Sequence, residues 1–328
     1  MNYKYFISKI IYFIVLFFVT LTIGFVIPRL IPGNPAEAII ARISQGGAIV
    51  TPTLIKSIDA ELGLSNAPIY VQYFNYLGNV FHGNFGVSIT YFPATVISII
   101  DYGLPWTLLL IIVPLVISFY VGNKLGALAA LKRASYIDAA STVIPMFLYG
   151  IPAFSLATIL LYIFSIKFPI FPSLGAYSLG LSPGFNATFI ESVLYHAFLP
   201  MLTLTLGGLS GWVFGMRNNM VTILNSNYMK YMDIMGISNR LIKKNATKNA
   251  ILPNLTSFGI SIGVSITGVI FIQEIFSYPG LGEYLYQGVE GLDYPLVNGI
   301  FIVIILISLI ANFIVEILYG VIDPRIRR

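Results

Sequence analysis

Apolar residues come in long blocks separated by short polar intervals, and the blocks set the first expectations. Residues 10–27 form an unbroken apolar run, and further runs fall at about 102–131, 137–166, 195–221, 255–276 and 296–319. Each is close to or above the roughly 20 residues that carry a helix across the hydrocarbon core of a bilayer. The pattern predicts an all-α membrane protein with six transmembrane helices. Pro145 and Pro152 interrupt the third run, which is tolerable where neighbouring helices or a cavity satisfy the freed carbonyls. The fourth carries Gly207, Gly208, Ser210, Gly211 and Gly215, small residues that let helices approach closely.

Two polar intervals interrupt this pattern. The first, residues 32–100, begins with a turn at Pro32-Gly33-Asn34-Pro35. Thr51-Pro52 then offers a helix start and Gly63 a stop, with Leu54, Ile55, Ile58 and Leu62 as the buried stripe; a second helix is expected from Pro68 to Gly78. This reads as a small helical insertion on the extracytoplasmic side, too short for a large core of its own.

The second interval, residues 226–253, reads SNYMKYMDIMGISNRLIKKNATKNAILP and predicts two short helices. The first buries Tyr228, Tyr231, Met232 and Met235 at i, i+3, i+4 and i+7, and stops at Gly236, the residue type that accepts a left-handed helix end. Ile237 follows. Ser238 is placed to cap a second helix, which sets Arg240, Lys243, Lys244 and Lys248 on one face beside Leu241 before Pro253 opens the next apolar segment. Such a segment either rests its basic face on anionic lipid headgroups or docks a soluble partner.

Composition agrees with a membrane protein. Only 9% of the residues are charged, against about a quarter in soluble domains, while 57% are hydrophobic and the mean hydropathy is +0.86. The net charge of +5 does not point to nucleic acid, because of where the cations fall. Lys4, Lys9, Lys132, Arg133, Arg217, Lys230, Arg240, Lys243, Lys244, Lys248, Arg325, Arg327 and Arg328 lie on one side of a six-span topology. Arg29, Arg42, Lys56 and Lys167 lie on the other. The positive-inside rule then places both termini in the cytoplasm. The chain divides into a first transmembrane helix (1–31), the insertion (32–100) and a core of five transmembrane helices (101–328).

Catalytic chemistry is not expected. No GxxxxGK[ST] phosphate loop occurs, so the chain should not hydrolyse ATP, and His82 and His196 stand alone, without the spacing of a metal site. No cysteine is present, which removes disulfides and thiolates. The fifth run carries Thr256, Ser257, Ser261, Ser265 and Thr267. Of these, Ser257, Ser261 and Ser265 are candidates for lining a polar path, the alternative being hydroxyls that bond their own helix carbonyls. Glu274 beside Gln273 is a candidate gate residue or an interfacial carboxylate, and Glu316 is expected to pair with a neighbouring helix.

Several segments together resemble the dipeptide/oligopeptide ABC-transporter permease family along nearly the whole chain. They are RLIPGNPAE from Arg29, ELGLSNAPIYVQYFNYLGN from Glu61, GNFGVSI from Gly83, GALAALKRASYID from Gly126 and FLPMLTLTLG from Phe198. QEIFSYPGLGEYLYQ from Gln273, DYPLVNGIF from Asp293 and DPRIR from Asp323 complete the series. Within it, residues 226–253 are similar to the cytoplasmic coupling loop of ABC permeases, with Gly236 and Leu252-Pro253 near the expected places. Lys230-Tyr231-Met232 stands where that family has Glu-Ala-Ala, and the spacing from the glycine to Leu-Pro is longer than usual.

The resemblance implies a type I importer permease in the cell membrane, forming half of a translocation path for peptides. It implies a second homologous permease, two cytoplasmic ABC ATPases that bind ATP and Mg²⁺, and an extracytoplasmic solute-binding protein as partners. No cofactor is then expected in this chain, and residues 228–241 carry the docking. Related systems that import oligosaccharides or nickel stay open as alternatives. A stand-alone secondary transporter or channel is the alternative of a different class; inverted repeats or a buried proton relay would favour it.

Overall fold

The computed structural model describes residues 3–30 and 67–322, where nearly every apolar block has become a helix. In order these are α1 (Tyr3–Leu30), α2 (Ile69–Phe81), α3 (Val96–Leu131), α4 (Tyr136–Tyr149) and α5 (Ala153–Leu161). They continue as α6 (Ala187–Leu224), α7 (Asn227–Ile234), α8 (Asn239–Ile275), α9 (Leu281–Glu290) and α10 (Tyr294–Ile322). A π-helical stretch, Tyr162–Lys167, extends α5. Extended pairing among the described residues is a single bridge between Val87 and Thr95, so this part of the chain is all-helical. The expected turn at Pro32, the helix from Pro52 to Gly63 and the C-terminal residues 323–328 lie outside the described residues, as does the side chain of Glu316 with its expected pairing.

Among the described residues, three helical segments are long and apolar enough to cross a membrane: α3, α6 and Tyr294–Ala311 of α10. The pair α4 and α5 with its π-helical extension adds a broken fourth, bent by 96°. Both prolines of that run were expected to interrupt it, but only Pro152 breaks it. Pro145 stays inside α4, whereas the chain leaves the helix at Gly150 and resumes it at Ala153, with Pro152 extended between them; a proline ring disfavours the helical conformation of the residue before it. In α1 the apolar stretch is shorter, Ile10–Val26, and its outer face bears exposed Ile11, Val15 and Ile23.

Four boundaries differ from the sequence reading. α6 starts at Ala187, eight residues before Tyr195, because the Asn186 side chain caps it by accepting from the Phe189 N–H at 2.8 Å. α2 runs through Gly78 to Phe81, with Pro68 just ahead of its first turn. Residues 277–295, which separate the last two apolar runs, contain α9. This helix buries Leu281, Leu285 and Gly288, a helical spacing too brief to stand out between glycines. The fourth difference bears on function. The expected second short helix and the fifth apolar run are one continuous helix of 37 residues, α8, with Pro253 inside it. A proline removes one N–H donor from the helix ladder. Side chains brace the backbone on both sides of it: Asn219 Nδ2 donates to Ala250 O at 3.2 Å, and Asn254 Nδ2 donates to Trp212 O at 3.1 Å.

The chain separates into two compact units. In the first, formed by the described residues up to Thr107 with Pro279–Ile310, Leu21, Val80 and Ile302 make a small core around which Phe17, Tyr76, Leu77 and Phe85 pack. Asp293 is fully buried there; its carboxylate accepts from Ser88 Oγ at 2.5 Å, Thr90 N at 2.8 Å and Leu296 N at 3.1 Å. These bonds satisfy the desolvated charge and tie the turn before α10 to the segment before α3.

The second unit, Leu108–Tyr278 with Ala311–Val321, is arranged around α6. Against α6 pack α4, α5 and α8. Half of its most apolar window is buried, compared with 28% for α3, which makes α6 the central helix. Gly122 and Gly126 let α3 lie almost in contact with α6. A Cβ on Gly122 would come within 2.5 Å of Trp212 Cβ, and one on Gly126 within 2.5 Å of the Val213 carbonyl.

Candidate coupling site

The interval between α6 and the apolar part of α8 folds into a short helix, a left-handed corner and the polar head of α8. Gly236 forms the corner with φ +75°. Its N–H donates to Asp233 O at 2.9 Å, and the N–H of Ile237 reaches back to Met232 O at 3.1 Å. This pair of bonds is the Schellman arrangement that closes a helix on a glycine. The left-handed end expected at Gly236 is therefore present, and the following residues are turned sharply into α8.

Which face of α7 is buried differs from expectation. Of Tyr228, Tyr231, Met232 and Met235, only Met232 is buried; Tyr228, Tyr231 and Met235 are exposed, the last at 77%. Met229, which the sequence reading passed over, is buried instead. Met229 and Met232 enter a cluster with Met216 and Met220 of α6, Ile242, Ala246 and Ala250 of α8 and Ala130 of α3. Ile237 packs on its edge. Unbranched methionines fill irregular gaps between helices well, so four of them weld α7 onto the unit through one face. The opposite face leaves Tyr228, Tyr231, Ile234, Met235 and Leu241 in the open. Beside them Lys230, Arg240, Lys243, Lys244 and Lys248 are all exposed. Ser238 precedes the first turn of α8, but its side chain makes no capping bond.

A partly buried ion pair lies in the same unit. Arg217 of α6 grips Asp138 of α4 with two nitrogens, Nε to Oδ1 at 2.7 Å and Nη2 to Oδ2 at 2.9 Å. Asp138 also accepts from the N–H of Ala134, which has φ +61°, and so fixes the tight turn between α3 and α4. From the sequence Arg217 counts only as a topological charge, because its partner stands 79 positions away.

The path-lining candidates lie further along α8. Ser257, Ser261 and Ser265 form one row at i, i+4 and i+8, and each hydroxyl donates to the carbonyl four residues back at 3.2, 2.9 and 2.7 Å. Their protons are thus committed to the helix, while the oxygens still have acceptor capacity. Glu274 is half-buried near the end of α8. Nine residues beyond Ser265, it stands about half a turn round the helix axis from that row, so the row and Glu274 do not share a face.

Comparison with known proteins agrees with this architecture. Residues 122–328 match the family model described as the binding-protein-dependent transport system inner membrane component, and residues 2–119 match the model of the N-terminal part of such membrane components. An oligopeptide transport system permease protein of Bacillus subtilis is 32% identical over 306 residues, covering 93% of each chain. A di/tripeptide transport system permease protein of Pseudomonas aeruginosa is 32% identical over 327 residues, covering 95% of each. An oligopeptide transport system permease protein of Haemophilus influenzae is 32% identical over 311 residues, covering 94% of each. With both family models matched in order and apolar helices long enough to span a membrane among the described residues, the chain belongs to the family of inner membrane components of binding-protein-dependent transport systems, as a transport permease subunit and not an enzyme.

Proposed function

We propose that this chain forms half of the translocation path of an ATP-driven importer of peptides, with residues 228–241 as the surface that docks a cytoplasmic ATPase. The observation that carries the docking role is the pairing of a methionine-anchored underside with an exposed apolar and basic outer face on α7 and the head of α8. A loop that rested on lipid by its basic residues alone would not need Tyr228, Tyr231, Ile234 and Met235 presented by a rigid glycine corner. The peptide class rests on the names borne by relatives aligned along more than nine-tenths of the chain. The complete machine comprises a second homologous permease, two ATPases that bind ATP and Mg²⁺, and a solute-binding protein on the far side. Six spans, with both termini cytoplasmic and the 32–100 insertion outside, accommodate the cation distribution. Ser257, Ser261 and Ser265 line the path through their acceptor oxygens, and Glu274 stands apart as a gate residue.

Two measurements test the proposal. In proteoliposomes holding the complex purified with its binding protein and ATPases, labelled tripeptides are expected to accumulate on ATP addition, and the permease alone is expected to hydrolyse no ATP. Absence of uptake by an intact, ATP-hydrolysing complex refutes the peptide assignment. For topology, a cysteine at Ser182 is expected to react with an impermeant reagent in intact cells and one at Asn239 only after permeabilisation; both positions are exposed and the chain has no cysteine of its own. Labelling of Asn239 in intact cells inverts the orientation.

A further inference from the structure

Immediately after Pro253, α8 carries a polar residue where an apolar one would pack more cheaply. Asn254 is 5% exposed, and its Nδ2 donates to two other helices at once: to Asn123 Oδ1 of α3 at 2.7 Å and to the Trp212 carbonyl of α6 at 3.1 Å. Asn123 is equally buried, and its own Nδ2 donates to Phe119 O at 2.7 Å. That bond fixes the amide so that Oδ1 faces Asn254. Space for the arrangement comes from Gly215, because a Cβ there would collide with the Asn254 amide oxygen.

The surroundings add to the strength of the clamp. Phe119, Trp212 and Phe258 close around one side, with ring centroids of Phe119 at 5.2 Å from Trp212 and 4.8 Å from Phe258. Hydrogen bonds in such dry surroundings are stronger than in water, and leaving one unmade is correspondingly costly. On the other side of Pro253, Asn219 holds Ala250 O, and the methionine cluster that seats α7 begins at Ala250. A continuous chain of contacts therefore runs from the coupling face through Met229 and Met232 to Ala250, past the one point where the α8 ladder lacks a donor, and into Asn254.

We infer that the Asn254–Asn123 amide pair is the joint through which displacement of α7 and the head of α8 reaches α3 and α6, with Asn254 a positioning residue for the transport cycle. Proline alone would let α8 flex at residue 253 and dissipate the movement. The amide clamp just beyond it makes the apolar half of α8 move with its neighbours, which suits helices that switch between discrete packings. This inference rests on the docking role proposed above.

The test uses the complete transporter in proteoliposomes, with labelled tripeptide uptake and ATP hydrolysis measured on the same vesicles. In Asn254→Ala, ATP hydrolysis should persist while peptide moved per ATP hydrolysed falls about tenfold, within the range of an ordinary coupling free energy. Asn123→Ala, which removes the acceptor and leaves α8 unaltered, should do the same, and the double variant should be no worse than Asn254→Ala because both act on one interaction. If Asn254→Ala fails to insert, Asn123→Ala gives the reading. A merely structural clamp lowers uptake and hydrolysis together through loss of intact complex, so an unchanged ratio in Asn123→Ala overturns the inference. Wild-type vesicles that hydrolyse ATP but take up no tripeptide count instead against the proposed function.

Discussion

Gly236→Val is expected to yield a protein that inserts into the membrane and still meets its binding protein, yet assembles poorly with the ATPases or fails to stimulate them. Beyond its two chain neighbours, no atom lies within 4 Å of where a Cβ on Gly236 would stand, so the penalty is not a clash with packed neighbours. It comes from the backbone: at φ +75° a β-branched residue is an outlier, and the left-handed conformation costs an ordinary L-residue about 1–2 kcal/mol. Relieving that strain breaks the bonds from Gly236 N to Asp233 O and from Ile237 N to Met232 O, which set the angle between α7 and α8. Tyr231, Ile234 and Met235 then no longer share one rigid surface with Leu241. Gly236→Asn is the matching control, because asparagine tolerates the left-handed region and should retain most of the assembly. The measurement is co-purification of the ATPases with the tagged permease, together with ATP turnover. If valine and asparagine variants both co-purify and transport like wild type, the corner is not a docking element. Loss of membrane contact on neutralising Lys243 and Lys244, with ATPase binding intact, would then identify the segment as a lipid-surface anchor.

The corner was legible in the sequence because one residue type nearly dictates it. The face of α7 was not. Five of its eight residues are apolar or amphipathic, Tyr228, Met229, Tyr231, Met232 and Ile234, so helical spacing permits either a Tyr228–Tyr231–Met232 stripe or a Met229–Met232 stripe. Packing against Met216 and Met220 of α6, a rotation that no local pattern records, chooses the second. The same limit explains α8. A proline after a basic stretch reads as a boundary, but the residues that let the helix run through it, Asn219 and Trp212 of α6 and Asn123 of α3, stand 31, 42 and 131 positions from their partners. Long apolar helices such as α3 and α6 were visible because they obey a solvent rule rather than a neighbour rule. The amide contacts that carry α8 through Pro253 are paired at long range, and no local pattern records them.

Arg217→Ala is expected to be strongly destabilising to the second unit. Asp138 is 6% exposed and loses both charge-assisted bonds, while its acceptance from Ala134 N survives. Removing one partner of a buried pair typically costs about 3–5 kcal/mol; with the Arg217 side chain still 26% accessible, the lower end applies. That is a large share of the total stability of an ordinary domain, about 5–15 kcal/mol. The purified variant should melt at lower temperature in detergent, and the turn holding Ala134 at φ +61° should become sensitive to protease, since Asp138 no longer fixes it from both sides. Asp138→Asn should do less harm, because the amide stays neutral when buried and still accepts from Arg217. The pair as such is tested by Arg217→Leu with Asp138→Leu, which removes both charges. If burial of an unpaired carboxylate causes the damage, the double variant should regain most of the stability that Arg217→Ala loses. A double variant as unstable as Arg217→Ala would show instead that the guanidinium holds α6 to α4 by its packing and not by its charge.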